Sequence, residues 1–494
     1  MVADTLPRER RPRAQLPEAI ATSTRLQCRN PGKASVRDTQ HERSTRSRAI
    51  TRRHLLKASA AALGTIPLAV QAAAAQTPAT ADLTGSSLRI LQWNHVIPGY
   101  DRWFTQFATA WGQQHGVTVT VDLVDSSTIP HAMQTEFATG TGHDLIEHIA
   151  PLPMFASSLV DLSDLAAEAA RRHGDQQEFC RQDSLNPESG RFYGFAHGYA
   201  PTAINYRPSL WQAVNLPGGP ATWYDLVRGG SRIWSEQGIA LGFGLSDELD
   251  SNTSILAALW AHGASVQDKD GRIALNSPQT VQVVKLFTQL YRTAMTPAVF
   301  GWDILGNNQL LIDGQASAIL NALSAFRTIQ QRNQDLAKDL MLRAPLQGPT
   351  GTGSALAPAH VRFISMIPAF SPNRDAAQEF LLALVGSYAQ VTDASGTYNF
   401  PAFPSTVPAL KANGGPLDYN PSQPDQGTRL TTLKDANSWT TNLGWPGPTT
   451  VLSAAAVNES ILSRMVARAA RGELSAEDAV REAEARLNAL TARG

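Results

Sequence analysis

Hydrophobic positions between Leu88 and Ile146 change their period several times, and each change marks an element. Leu88-Arg89-Ile90-Leu91-Gln92-Trp93 is a short run of strand type. From Tyr100 to His115 the apolar side chains Trp103, Phe104, Phe107, Ala108 and Trp111 recur at helical spacing, which places Trp103 and Trp111 on a core-facing stripe. Gly116 ends that helix, and Val117-Thr118-Val119-Thr120-Val121 alternates as a half-buried strand does. A second helix is expected over 130–139, with Gly140-Thr141-Gly142 as its stop and Asp144-Leu145-Ile146 as the next strand. Strand, helix and strand within some forty residues imply right-handed βαβ units and a parallel sheet.

Upstream of Leu88 the pattern is different. Thr51-Arg52-Arg53-His54-Leu55-Leu56-Lys57 precedes an apolar stretch from Ala58 to Val70, and Ala72-Ala73-Ala74-Ala75 follows. Paired arginines, a modestly apolar segment and a small-residue run are the three parts of a twin-arginine export signal, in order. The apolar segment is too short for a stable membrane anchor and is interrupted by Gly64 and Pro67. Residues 1–75 are therefore expected to be an N-terminal extension plus signal peptide, with cleavage near Gln76 and a periplasmic destination.

That division alters the charge. The chain carries 42 basic and 42 acidic residues, but residues 1–75 hold 14 of the former and 5 of the latter, leaving 28 against 37, a net charge of −9. An acidic body is a poor partner for nucleic acid or an anionic membrane. Cys28 lies before the expected cleavage site, so Cys180 would remain as a lone thiol. Neither an internal disulfide nor a CxxC metal or redox pair is then available. No cysteine at the cleavage site offers a lipid anchor, and no later segment reaches the roughly 18 apolar residues of a membrane helix, so stable membrane insertion is not expected. Some 150 residues per domain makes two or three globular units of the remainder.

From Leu88 onward the chain resembles the family-1, carbohydrate-type extracellular solute-binding proteins, the maltose-binding-protein-like receptors of ABC importers. The resemblance is carried by Gly140-Thr141-Gly142-His143-Asp144-Leu145, by Leu159-Val160-Asp161-Leu162-Ser163-Asp164-Leu165, and by Phe192-Tyr193-Gly194-Phe195 followed by Ala203-Ile204-Asn205-Tyr206. Thr222-Trp223-Tyr224-Asp225-Leu226, Asp313 to Ile319 and Asn373 to Phe380 continue it. His143 replaces the family's usual proline, Gln315 an often-found lysine, and Asn205-Tyr206 inverts the usual order. The resemblance implies an α/β, two-lobe periplasmic-binding-protein fold, type II-like, with discontinuous lobes joined by hinge segments. Lobe one would take 86–199 plus 340–410 and lobe two 200–339 plus 411–494, with Gly198-Tyr199-Ala200-Pro201 as a crossing and 412–426 as a surface loop. It further implies a monomer that closes over a solute and delivers it to an ABC permease.

A site for a sugar needs flat aromatics against C–H faces and amides, carboxylates or imidazoles against hydroxyls. In open α/β sheets such groups lie beyond the carboxyl ends of strands. The candidates are Trp93, Asn94 and His95 after the first strand, His148 beside Glu147, Tyr199 at the crossing, Asn252 and Trp260, Asn321, His360, and Trp445 in Gly444-Trp445-Pro446-Gly447-Pro448. His143 and His148 are five apart on a strand and point to opposite faces, so no metal site is expected. No cofactor is expected either. GxSxG, HExxH, Walker and GxGxxG motifs are absent, and Gly242-Phe243-Gly244 lacks the third glycine. The alternatives are the same fold holding a phosphate ester, polyamine or chelate, and a secreted sugar-active enzyme using a carboxylate pair.

Overall fold

A computed structural model describes residues 82–349, 353–418 and 429–491, all within the unit Pro78–Gly494. The export signal expected before Gln76 lies outside the described residues. The surface loop expected over 412–426 lies partly outside them.

The predicted periods become elements with small shifts of boundary. The first strand is Ser87–Trp93 and the first helix Pro98–His115, opened by a proline in its first turn and closed by Gly116 at φ 68°. A left-handed residue at that position favours glycine, because a Cβ would crowd the backbone. The next strand is Thr118–Val124, the next helix Ile129–Thr139 with Gly140 at φ 67°, and the third strand Leu145–His148.

Two sheets organise the molecule. The first runs, in spatial order, Phe400–Pro401, Phe195–Ala200, Val361–Met366, Leu145–His148, Ser87–Trp93, Thr118–Val124. Its Ser87–Trp93 strand is parallel to both neighbours, whereas Val361–Met366 runs antiparallel to both of its own. Helices cover both faces, so its three central strands on the Phe195 side read as unbroken buried runs rather than alternating ones. The second sheet runs Met341–Arg343, Ala203–Tyr206, Ala316–Asn321, Ala240–Gly242. One hydrophobic cluster packs around the first sheet and also takes Ala203, Ala316, Ile319 and Leu342 from the second, and the other cluster takes Ile204, Tyr206, Leu241, Ala318 and Leu320 of that second sheet.

Three crossing segments join the lobes and are stitched to one another. Pro201-Thr202 links Phe195–Ala200 to Ala203–Tyr206. Thr202 Oγ1 donates to Pro358 O at 2.7 Å, Trp439 Nε1 donates to Thr202 O at 3.0 Å, and His360 N donates to Ala200 O at 2.8 Å. Ala357-Pro358 also pairs in parallel with Thr440-Thr441. One placement differs from the sequence reading. Met341–Arg343, assigned there to lobe one, pairs with Tyr206–Ile204 in the second sheet. The chain turns between lobes some residues later than a sequence motif marks, because the turn is set by tertiary pairing.

Candidate functional site

The first strand ends in Gln92 and Trp93, and both reach Glu147 on the neighbouring strand. Gln92 Nε2 donates to Glu147 Oε1 at 2.6 Å, Trp93 Nε1 to the same oxygen at 3.0 Å, and His197 Nε2 lies 2.5 Å from Oε2. Glu147, Gln92 and His197 are all buried, so the carboxylate is held entirely by protein donors. Beyond Trp93 the backbone turns. Asn94 is exposed, and His95 folds back into an aromatic cage with centroids 4.8 Å from Trp93, 4.6 Å from Tyr100 and 5.1 Å from Tyr398. Ile97 N donates to His95 Nδ1, so Nε2 carries the proton it gives to Asn399 Oδ1 at 2.9 Å. Burial lowers the His95 pKa to about 4, so the ring stays neutral.

The second wall is built on helix Leu249–Ala261 and strand Ala316–Asn321. Asp250, in the first turn of that helix, accepts at Oδ2 from Asn307 Nδ2 at 2.8 Å and from Asn321 Nδ2 at 2.9 Å. Asn321 Nδ2 also lies 2.8 Å from Asn308 Oδ1, and Asn321 Oδ1 accepts from Ala322 N. His360, on the crossing, brings Nε2 to 3.3 Å from Asp250 Oδ1. Burial lowers the His360 pKa to about 3, with the Arg362 charge adding to it. Burial raises the Tyr398 phenol, with the Asp250 charge as the second cause. Tyr398 meets the His95 ring edge-on at 5.1 Å.

The lobes also touch directly. Asn458 Nδ2, at the end of helix Val451–Asn458, donates to Pro151 O at 3.0 Å. Near the other end of that helix, Thr450 and Val451 share a groove of about 940 Å³ with Pro153, Glu188 and Arg272. Polar atoms at the seam lack hydrogen-bond partners among the described residues: Tyr100 Oη, Asp250 Oδ1, His360 Nδ1 and Asn399 Nδ2.

The predicted residues separate into two groups. Trp93, His95, Asn321 and His360 converge on this seam. The others do not. His148 is buried and turns Nδ1 to its own chain at Ala150. Tyr199 lies within Phe195–Ala200, packed on Phe179 and Phe400, one residue pair before the true crossing. Asn252 Nδ2 caps back to Glu248 O while Oδ1 accepts from Ser463 N. Trp260 is fully enclosed, and the half-buried Trp445 packs edge-on against it at 5.8 Å. Asn94 faces solvent. Sequence reasoning missed Asp250, Asn307, Tyr398 and Asn399. The pair Asn307-Asn308 opening an apolar helix is the one local signal for them.

Polar groups from two lobes thus meet at strand ends beside stitched crossings. The profile of the bacterial extracellular solute-binding proteins matches residues 104–416, more than half of the 494. This chain belongs to that family. Among solved solute-binding structures, the maltose-bound MalE3 of T. maritima superposes with a TM-score of 0.67 at 18% identity, covering 82% of this chain and 100% of that one. An ABC transporter solute-binding protein of Agrobacterium radiobacter K84, in complex with ribitol, gives 0.66 at 19%, covering 83% and 99%. A sugar transporter structure from Arthrobacter chlorophenolicus A6, with laminaribiose, gives 0.67 at 16%, covering 82% and 99%. These likenesses establish the two-lobe α/β fold. A protein of Brucella abortus (strain 2308) named as a binding protein is 24% identical over 164 residues, 33% of this chain and 39% of the Brucella protein. No helix among the described residues is long and apolar enough to cross a membrane.

Proposed function

We propose that this solute-binding protein is the periplasmic receptor of an ABC importer. In this reading it takes a small hydroxylated solute, a sugar, into the cleft between its lobes and presents it to a permease as a monomer. The observation that carries the reading is the convergence of His95 and Tyr398 from one wall, His360 from a crossing, and Asp250 with Asn321 from the other wall. Such a set offers ring faces and fixed polar atoms to a ring of hydroxyls. A solute touching both walls binds the closed arrangement better than the open one, and that difference drives closure. The maltose, ribitol and laminaribiose named for the structural relatives support a polyhydroxylated ligand. Lobe one is proposed to comprise 86–199 plus 340–410 and lobe two 200–339 plus 411–494, amended by the strand Met341–Arg343. Export through the twin-arginine signal and the absence of catalysis complete the proposal.

A thermal-shift screen of the purified protein against a solute library tests it. A carbohydrate or polyol that raises Tm in a concentration-dependent manner, and is recovered chemically unchanged, is the expected outcome. Recovery of an altered product would make the protein a sugar-active enzyme instead.

A further inference from the structure

Asp250 is 2% exposed. Its Oδ2 is held by the amides of Asn307 and Asn321, whereas Oδ1 has no hydrogen-bond partner among the described residues. His360 Nε2 stands 3.3 Å from Oδ1, and His360 is itself 3% exposed with Nδ1 unpartnered among the described residues. Among the described residues, no lysine or arginine forms an ion pair with Asp250 or with Glu248 two positions before it. The nearby Arg362 binds Asp183 and Ala359 O through Nε and Nη1, and its Nη2 has no hydrogen-bond partner among the described residues. A buried carboxylate without a cation is costly, and an incoming ammonium is the group that removes the cost, through a charge-assisted hydrogen bond. A hydroxyl would fill the lone pair but bring no positive charge.

We infer that the solute presents a protonated amine to Asp250 Oδ1, so that the cargo is an amino sugar or a similarly aminated polyol. The inference rests on the carbohydrate-binding reading above and narrows it.

Burial, and then the neighbouring Glu248 charge, raise Asp250 well above the usual carboxylate range. The other titratable groups around it are Asp303, which acts on Glu248, His360 on the crossing and Tyr398 from the first wall.

The test is a set of matched pairs differing by one amine for one hydroxyl per ring: glucosamine and glucose, galactosamine and galactose, the chitosan disaccharide and cellobiose. Melting temperature and titration calorimetry are measured on the full chain. The aminated member of a pair is expected to bind at least about tenfold tighter. D250N is expected to abolish the preference. Equal or tighter binding of the hydroxyl member overturns the inference while leaving the carbohydrate reading intact. If no member of any pair shifts Tm, the carbohydrate reading falls and this inference with it. Should D250N fail to fold, the matched-pair comparison on the unsubstituted chain decides alone.

Discussion

Glu147 shows what a buried carboxylate demands of its neighbours. Three nitrogen groups from Gln92, Trp93 and His197 surround it, so Trp93 serves the interior of lobe one as much as any ligand. Trp93→Ala is accordingly expected to lower folding stability by about 3–5 kcal/mol, read by urea denaturation, because it opens a cavity and removes a donor from a buried charge. Gly198 is constrained by space rather than by backbone angle: a Cβ there would lie 1.5 Å from Tyr388 Oη and 2.8 Å from Phe400 O. Gly198→Ala should cost at least about 2 kcal/mol in the same assay, since neither neighbour has room to retreat. His360 makes a pH prediction. Its pKa is about 3 in the fold against 6.5 when unfolded, so below pH 6.5 the unfolded chain takes up a proton that the native one refuses. Its effect is therefore a loss of stability as pH falls from 6.5 towards 3. Asp101, raised to about 6 chiefly by burial, works in the opposite sense, losing stability as pH rises through 3.8 to 6. The His360 share is isolated by difference: His360→Gln should flatten the stability profile below pH 6.5 by up to one proton relative to the unsubstituted chain.

At the scale of elements, the sequence pattern carried far where the deciding contacts are local. Alternation over Val117–Val121, helical spacing over Trp103–Trp111 and the stops at Gly116 and Gly140 each depend on a few successive residues, and their elements form within a few positions of expectation. The crossings and the second wall depend on pairings across long separations. Asp250 meets Asn307, Asn321 and His360, which stand 57, 71 and 110 positions away, and no local period encodes that meeting. Asn321 and His360 were legible because they stand at a strand end and just after a loop. Tyr398 was not, because its neighbourhood carries no strand or helix signal. Helix Val451–Asn458 supplies a prediction of its own. Asn458→Ala removes its hydrogen bond to Pro151 O, worth about 1 kcal/mol, and should weaken solute binding roughly fivefold in calorimetry while leaving the urea midpoint unchanged. A shifted midpoint with unaltered affinity would place that bond in folding rather than in closure.

For the whole molecule, two separate sheets are joined by crossings stitched to one another, which is where the chain can hinge. In the proposed function, motion about that hinge would link recognition to transport. The most direct measurement is small-angle X-ray scattering of the purified protein with and without the solute found by thermal shift, followed by mass analysis of the recovered solute. A smaller radius of gyration with bound solute, and a solute returned intact, is what a closing receptor gives. An unchanged profile at saturation, or a chemically altered solute, would contradict it.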